Sequence, residues 1–168
     1  DASGALSIYE GLMEDAAATP EIVRAARAGS AEAMAQLGEL DAAVDIWRGL
    51  LAEDPTSTER AGIELQLAHG LLQGGDAGEA AAAYRALSSS DDPDVRIQAL
   101  LGSAEVARSQ GEAERAWGLF RQVADQSADA AYRVQALQEL ADLAASRERP
   151  DEALQAWREL IATAAPGS

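Results

Sequence analysis

Cysteine, lysine and asparagine are absent from this chain of 168 residues, and histidine occurs once. Without cysteine there are no disulfides, thiolate metal ligands or cysteine nucleophiles. Without lysine, all 13 basic side chains are arginine, and they face 29 carboxylates, giving a net charge of −16. That balance, with no basic cluster, argues against a nucleic-acid backbone or an anionic membrane surface as partner. No apolar run approaches the roughly 18 residues that would mark a membrane helix, so no direct membrane insertion is predicted. Aromatic residues make up 4% of the chain although 48% is hydrophobic, so alanine carries much of the apolar fraction. Alanine is the strongest helix former and lets helices pack closely. Arginine as the sole strong base is the usage of a GC-rich bacterial genome, and it leaves cytoplasm and periplasm both open.

What is present is a period. Tyr9, Trp47, Tyr84, Phe120 and Trp157 are separated by 38, 37, 36 and 37 residues. Four residues before each stands an alanine (Ala5, Ala43, Ala80, Ala116, Ala153), and three after it an aliphatic (Leu12, Leu50, Leu87, Val123, Leu160). Offsets of three and four place these residues on one helical face. A period of this length marks a repeat architecture, in which neighbouring units bury a continuous core between them.

The best-preserved copy, Gly38 to Pro55, resembles the second helix of the tetratricopeptide repeat through Gly38, Ala43, Trp47 and Pro55. Later copies keep Gly75, Ala80 and Tyr84, then Gly111, Ala116 and Phe120; Pro93 and Pro166 are each displaced by one residue, and Glu148 stands where glycine belongs. The resemblance implies an all-α fold: a TPR-like α-solenoid of antiparallel helix pairs, with about four full repeats after a half repeat. Residues 1–18 read as the second helix of a truncated repeat, followed by repeats at 19–56, 57–92, 93–128 and 129–168, the last with a C-terminal tail, all in one solenoid domain. Further repeats or another domain are expected to precede residue 1, leaving the face of Ile8 and Leu12 partly exposed.

Local signals set the helix ends. Thr19, Pro20 and Glu21 open a helix by a side-chain cap, a proline in the first turn and an acid at the positive end. Gly29 and Ser30 predict a kink or a split in it, and Arg27 sits where the family places an apolar residue. Thr56 and Glu59 form a capping box, and Gly74 with Gly75 ends the helix that follows. The run Ser88 to Asp94 has the oxygen density of a cation loop but lacks its glycine turn. It reads better as a cap at Asp92 with Pro93 starting a helix. Pro150 begins the last helix in place of a glycine turn, and Ala164 to Ser168 is expected to fray.

No constellation of residues suggests catalysis. His69 lies mid-helix rather than on a nucleophile turn, and no glycine-rich phosphate loop follows a strand. Trp47 and Trp157 occupy the periodic core position, whereas Trp117 falls outside it, at the edge of a groove or on the surface. Arg48, Arg85, Arg121 and Arg158 follow the aromatic in four copies and read as a solvated outer row, the alternative being a strip for an acidic partner. The resemblance also implies a concave groove lined by the first helices. By alignment its lining is Glu32, Gln36, Leu65, His69, Gln73, Leu101, Glu105, Arg108, Gln138 and Asp142, together with Ser146. The expected function is a noncatalytic scaffold or adaptor that binds a protein or peptide, basic or polar, without cofactor or metal. The alternative is a self-assembly or spacer module that uses exposed solenoid ends.

Overall fold

The computed structural model describes residues 1–53 and 56–164. Among them every regular element is an α-helix: α1 (Ala2–Glu14), α2 (Pro20–Gln36), α3 (Leu40–Ala52), α4 (Ser57–Gln73), α5 (Ala77–Leu87), α6 (Pro93–Ser109), α7 (Ala113–Gln126), α8 (Ala130–Ser146) and α9 (Pro150–Ala164). The even-numbered helices are each 17 residues long, and the odd-numbered ones are shorter. Two compact units are present, residues 1–83 and 84–168. In the first, α1 packs on α2, α2 on α3 and α3 on α4; in the second, α6 packs on α7, α7 on α8 and α8 on α9.

The chain uses two kinds of turn, and they alternate. Every long helix begins with a side-chain cap: Thr19 accepts from the Ile22 amide, Thr56 from Glu59, Asp92 from Asp94 and Val95, and Asp129 from Ala131. Each cap satisfies an amide that the first helical turn leaves without a partner. The oxygen-rich run before α6 is thus engaged as predicted, with the Asp92 carboxylate bonded to its own helix. Pro55, part of the family resemblance, lies outside the described residues, as do the last four residues of the expected frayed tail.

Every long helix ends in a left-handed residue: Gly38 (φ 87°), Gly75 (φ 93°), Gly111 (φ 75°) and Glu148 (φ 56°). The next amide then donates to the carbonyl five residues back, as in Glu39 to Met34, Asp76 to Leu71, Glu112 to Ala107 and Arg149 to Ala144, at 2.8–2.9 Å. This is the Schellman closure, which needs positive φ at its pivot. Gly74 was expected to share that role but is right-handed, and Gly75 alone is the pivot. Pro150 does not replace the fourth turn. Glu148 adopts the same geometry without glycine's freedom.

The predicted break at Gly29 and Ser30 does not occur, and α2 runs unbroken through both. The tenth residue of α2 is Gly29, and a Cβ there would collide with the Tyr9 ring; the tenth residue of α6 is Gly102, where a Cβ would collide with the ring of Tyr84. These glycines are seats for an aromatic ring rather than helix breakers. Trp47 reaches a different seat, Gly70 on α4, where an added Cβ would lie 2.6 Å from Cζ3. Phe120 needs no such seat. It is fully buried in a cluster with Leu101, Leu137 and Leu140, and the tenth residue of α8 is Glu139.

Trp157 departs from expectation. It occupies the periodic core position but is 45% exposed, against 2% for Trp47. The other periodic aromatics are met by the long helix that follows them, and among the described residues no helix follows α9. Trp117, read as lying at a groove edge or on the surface, is instead half-buried against the core of the second unit. Ile8 and Leu12 on α1 are exposed as expected.

Two substitutions test these roles. Gly102→Ala drives a methyl into the Tyr84 ring and is expected to cost about 1–3 kcal/mol. Gly118→Ala, in a helix interior with nothing within 4 Å, is expected to stabilise by about 0.5–1 kcal/mol. Urea denaturation of both variants should therefore move the midpoint in opposite directions. In the same assay Glu148→Gly is expected to gain about 1 kcal/mol by relieving the left-handed penalty of a side-chain-bearing residue.

Candidate partner-binding surface

The long helices carry all of the predicted lining. In the first unit α2 and α4 enclose a cleft of about 430 Å³. Its floor is Ala25, Ala28, Gly29, Gly62 and Ile63, with the edge of Trp47 behind. Ala25, Ala28 and Gly29 share one helical face, so α2 presents almost no side-chain bulk to the cleft. The rim is polar. On one side Gln66 Nε2 donates to Glu32 Oε1 at 3.0 Å, bridging the two helices. On the other, Arg24 lies 3.9 Å from Glu53 and 3.8 Å from Glu59, with its Nε shielded from water and making no hydrogen bond.

Glu59 has two engagements. It closes the capping box, accepting from the Thr56 hydroxyl at 2.7 Å and the Thr56 amide at 3.0 Å, while facing Arg24. The Thr56 hydrogen bonds, aided by Arg24, hold its carboxyl below the usual carboxylate range. Arg27, expected to be out of place, is half-buried and bonds Glu53. A charged end on an apolar stem suits a site at the edge of the core.

Farther along α4, His69 and Gln73 are exposed one turn apart, with Gln73 Nε2 at 2.8 Å from His69 Nε2. Gln36 is exposed and Leu65 half-buried. Of the predicted residues in this unit, Glu32 borders the cleft directly. Arg24, Glu59 and Gln66 border it too but were not among the predicted positions. The small residues of α2 were the available signal, since a face of alanine and glycine opposite Gly62 leaves space.

In the second unit Leu101 is a correction. Expected to offer apolar contact, it is only 8% exposed, within the cluster around Phe120. Helix α6 is buried on Val95, Ile97, Leu100, Leu101 and Val106, too wide a stripe for Leu101 to lie outside it. Glu105 is half-buried beside Tyr84, whose phenol burial, reinforced by that carboxylate, pushes above its usual range. Arg108 is exposed and pairs with Glu139 at 3.5 Å, bridging α6 to α8 as Gln66 bridges α4 to α2. Gln138 and Asp142 are exposed one turn apart on α8, with Ser146 one turn further. Ser146 donates its hydroxyl back to the Leu143 carbonyl.

Two of the four outer arginines are engaged. Arg48 reaches Glu79 at 2.7 Å, and Arg121 reaches Glu159 at 2.8 Å and Asp125 at 3.1 Å. These pairs favour the solvated-face reading over a strip for an acidic partner.

Because the Glu59 pKa is depressed in the fold, its contribution is complete above the unfolded carboxyl value of about 4.5 and is lost as pH falls through the folded value. The melting advantage of the native chain over Glu59→Ala is therefore expected to be constant at neutral pH and to shrink below that value, which thermal melts across an acid series would show.

No protein-family model matches this sequence, and no curated protein matches it. Among solved structures the chain is similar to the crystal structure of BtubC (BKLC) from P. vanneervenii, with a TM-score of 0.75 at 18% identity, covering 97% of this chain and 73% of that one. At that identity the likeness concerns the fold alone. Among the described residues every regular element is helical, and the structural neighbour is of helical-repeat type.

Proposed function

We propose that the chain is a tetratricopeptide-like α-solenoid acting as a noncatalytic scaffold, with its long helices binding an extended segment of a protein partner. The cleft between α2 and α4 carries this reading. Its floor of small and apolar residues can seat side chains, and its rim offers acceptors on Glu32 and Glu59 and an amide on Gln66. A glutamine can both donate to and accept from a peptide backbone, and a carboxylate keeps further acceptor sites beyond one hydrogen bond. The surplus of acids favours a basic or polar segment and speeds its encounter.

The predicted positions Gln36, His69, Gln73, Arg108, Gln138 and Asp142 add exposed polar side chains on the same class of helix. An amide is the partner of His69, which suits recognition better than proton transfer. A second reading, assembly through end helices, is favoured by the exposed apolar residues of α1 and α9.

Selection of peptides from a displayed library on the intact chain tests the first reading. Basic or polar peptides are expected to enrich, to bind less tightly to a folded Glu32→Arg, Gln66→Ala variant, and to bind Arg48→Ala unchanged. Equal binding to the native chain and the cleft variant would sink the cleft as the site.

A further inference from the structure

Four glycines stand on the long helices, and a ring accounts for three of them. Tyr9 lies over Gly29, Trp47 over Gly70 and Tyr84 over Gly102. Gly62, the sixth residue of α4, has nothing within 4 Å of the place a Cβ would take. Glycine inside a helix is less stable than alanine, and no close approach within the fold explains this one. Gly11, Gly78 and Gly118 are also open, but they stand on short helices and none lines the cleft between α2 and α4. Gly62 does.

The space beside Gly62 has helix backbone on one side and the methyls of Ala25 and Ala28 on the other, with Ile63 and Trp47 beneath. Such walls have little relief, and a flat ring makes full contact with them on both faces. Trp47 supplies an aromatic neighbour, and Arg24 at the rim a guanidinium, which ring faces attract. The cleft, at about 430 Å³, has room for a ring and the segment that carries it.

One turn beyond Gly62 stands Gln66, whose Nε2 donates to Glu32 at 3.0 Å. Glu32 is exposed, and among the described residues that neutral amide is its only partner. Glu53 and Glu59, by contrast, both face Arg24. The carboxylate of the cleft with no cation beside it is therefore Glu32, and it can accept from a ligand's cation while keeping the bond from Gln66. Positions Gly62 and Gln66 lie about 6 Å apart on the helix surface. In an extended segment, side chains two residues apart project to the same side at about 6.6 Å.

We infer that Gly62 is the seat for an aromatic side chain of the bound segment, and that an arginine or lysine two residues from it pairs with Glu32. The inference rests on the proposal that this cleft binds an extended segment, and it names what that segment carries. The contact of a ring on glycine that joins the chain's own helices thus also joins the partner to the chain.

The probe is a capped heptapeptide with a central tyrosine, an arginine two positions to either side, and glycine and serine elsewhere, so that both chain directions are offered. An end label reports binding by fluorescence anisotropy. Comparison peptides carry leucine for the tyrosine, or glutamine for both arginines. The native chain is expected to bind the tyrosine peptide roughly 2- to 10-fold more tightly than the leucine peptide. Gly62→Leu fills the seat and abolishes that preference. Glu32→Gln keeps the preference but no longer distinguishes arginine from glutamine, and Gly118→Leu in the second unit changes neither. A readout without slot variants comes from 5-fluorotryptophan in the native chain, with the Trp47 resonance assigned from a Trp47→Phe sample. The tyrosine peptide should shift Trp47 and leave Trp117 and Trp157 in place.

Equal binding of the tyrosine and leucine peptides to the native chain would overturn the inference, as would no binding of the tyrosine peptide. So would a preference that survives Gly62→Leu, or shifts at Trp117 or Trp157 without one at Trp47. The cleft itself is judged separately by the displayed library. Peptides that lose affinity for the Glu32→Arg, Gln66→Ala variant, yet carry no aromatic residue two positions from a base, would keep the cleft and remove the seat.

Discussion

An aromatic ring pressed against the backbone of the next helix sets the spacing on which both units depend. Tyr9 on Gly29, Trp47 on Gly70 and Tyr84 on Gly102 each need a residue without a side chain opposite them. Such close approach lets the surrounding alanines, Ala26, Ala33, Ala43, Ala68 and Ala104 among them, be buried although each contributes only a methyl. A larger residue at any seat would separate the helices and open voids along their whole length. A chain with 4% aromatics can hold a close-packed interior on these terms because dispersion and burial both depend on contact at full density.

Between the packed faces, polar chemistry decides where the chain reverses. Side-chain caps open the long helices and left-handed pivots close them, so each reversal is encoded by one or two residues rather than by a long loop. Exposed bridges then join one long helix to the next: Glu32 with Gln66 and Arg108 with Glu139. Surface pairs of this kind add little stability individually. Their significance lies in position, since they stand on the long helices that carry the exposed polar side chains.

Much of this was legible in the sequence because the signals were local. The aromatic period located the helices, and Thr19, Thr56 and Asp92 marked the starts of three long ones to within a residue. What escaped the reading depended on distant partners. Gly29 looks like a helix breaker until Tyr9 is brought over it. Leu101 has the spacing of a lining residue, but α6 is buried on a wider stripe than an amphipathic helix normally shows. Glu148 gave no sign that it would take a glycine's backbone, since its conformation follows from the closure between Arg149 and Ala144. Trp157 matches the periodic position as well as Trp47 does, yet burial depends on a covering helix and not on the residue. Arg24, Glu59 and Gln66 converge on a cleft through helices 35 residues apart in sequence and carry no shared motif.

The half-covered face of α9 has a dynamic side. Its helix packs on α8 and is tied to α7 by the Arg121–Glu159 pair, but its opposite flank is open, so its backbone hydrogen bonds are among those that local opening breaks most readily. Amide exchange should therefore be fastest there within the second unit, grading inward towards Phe120. A bound helix on that face would remove the gradient as well as add contacts. Part of its binding energy would go into ordering α9, and the cluster around Phe120 would become harder to open from its end even though nothing had touched it.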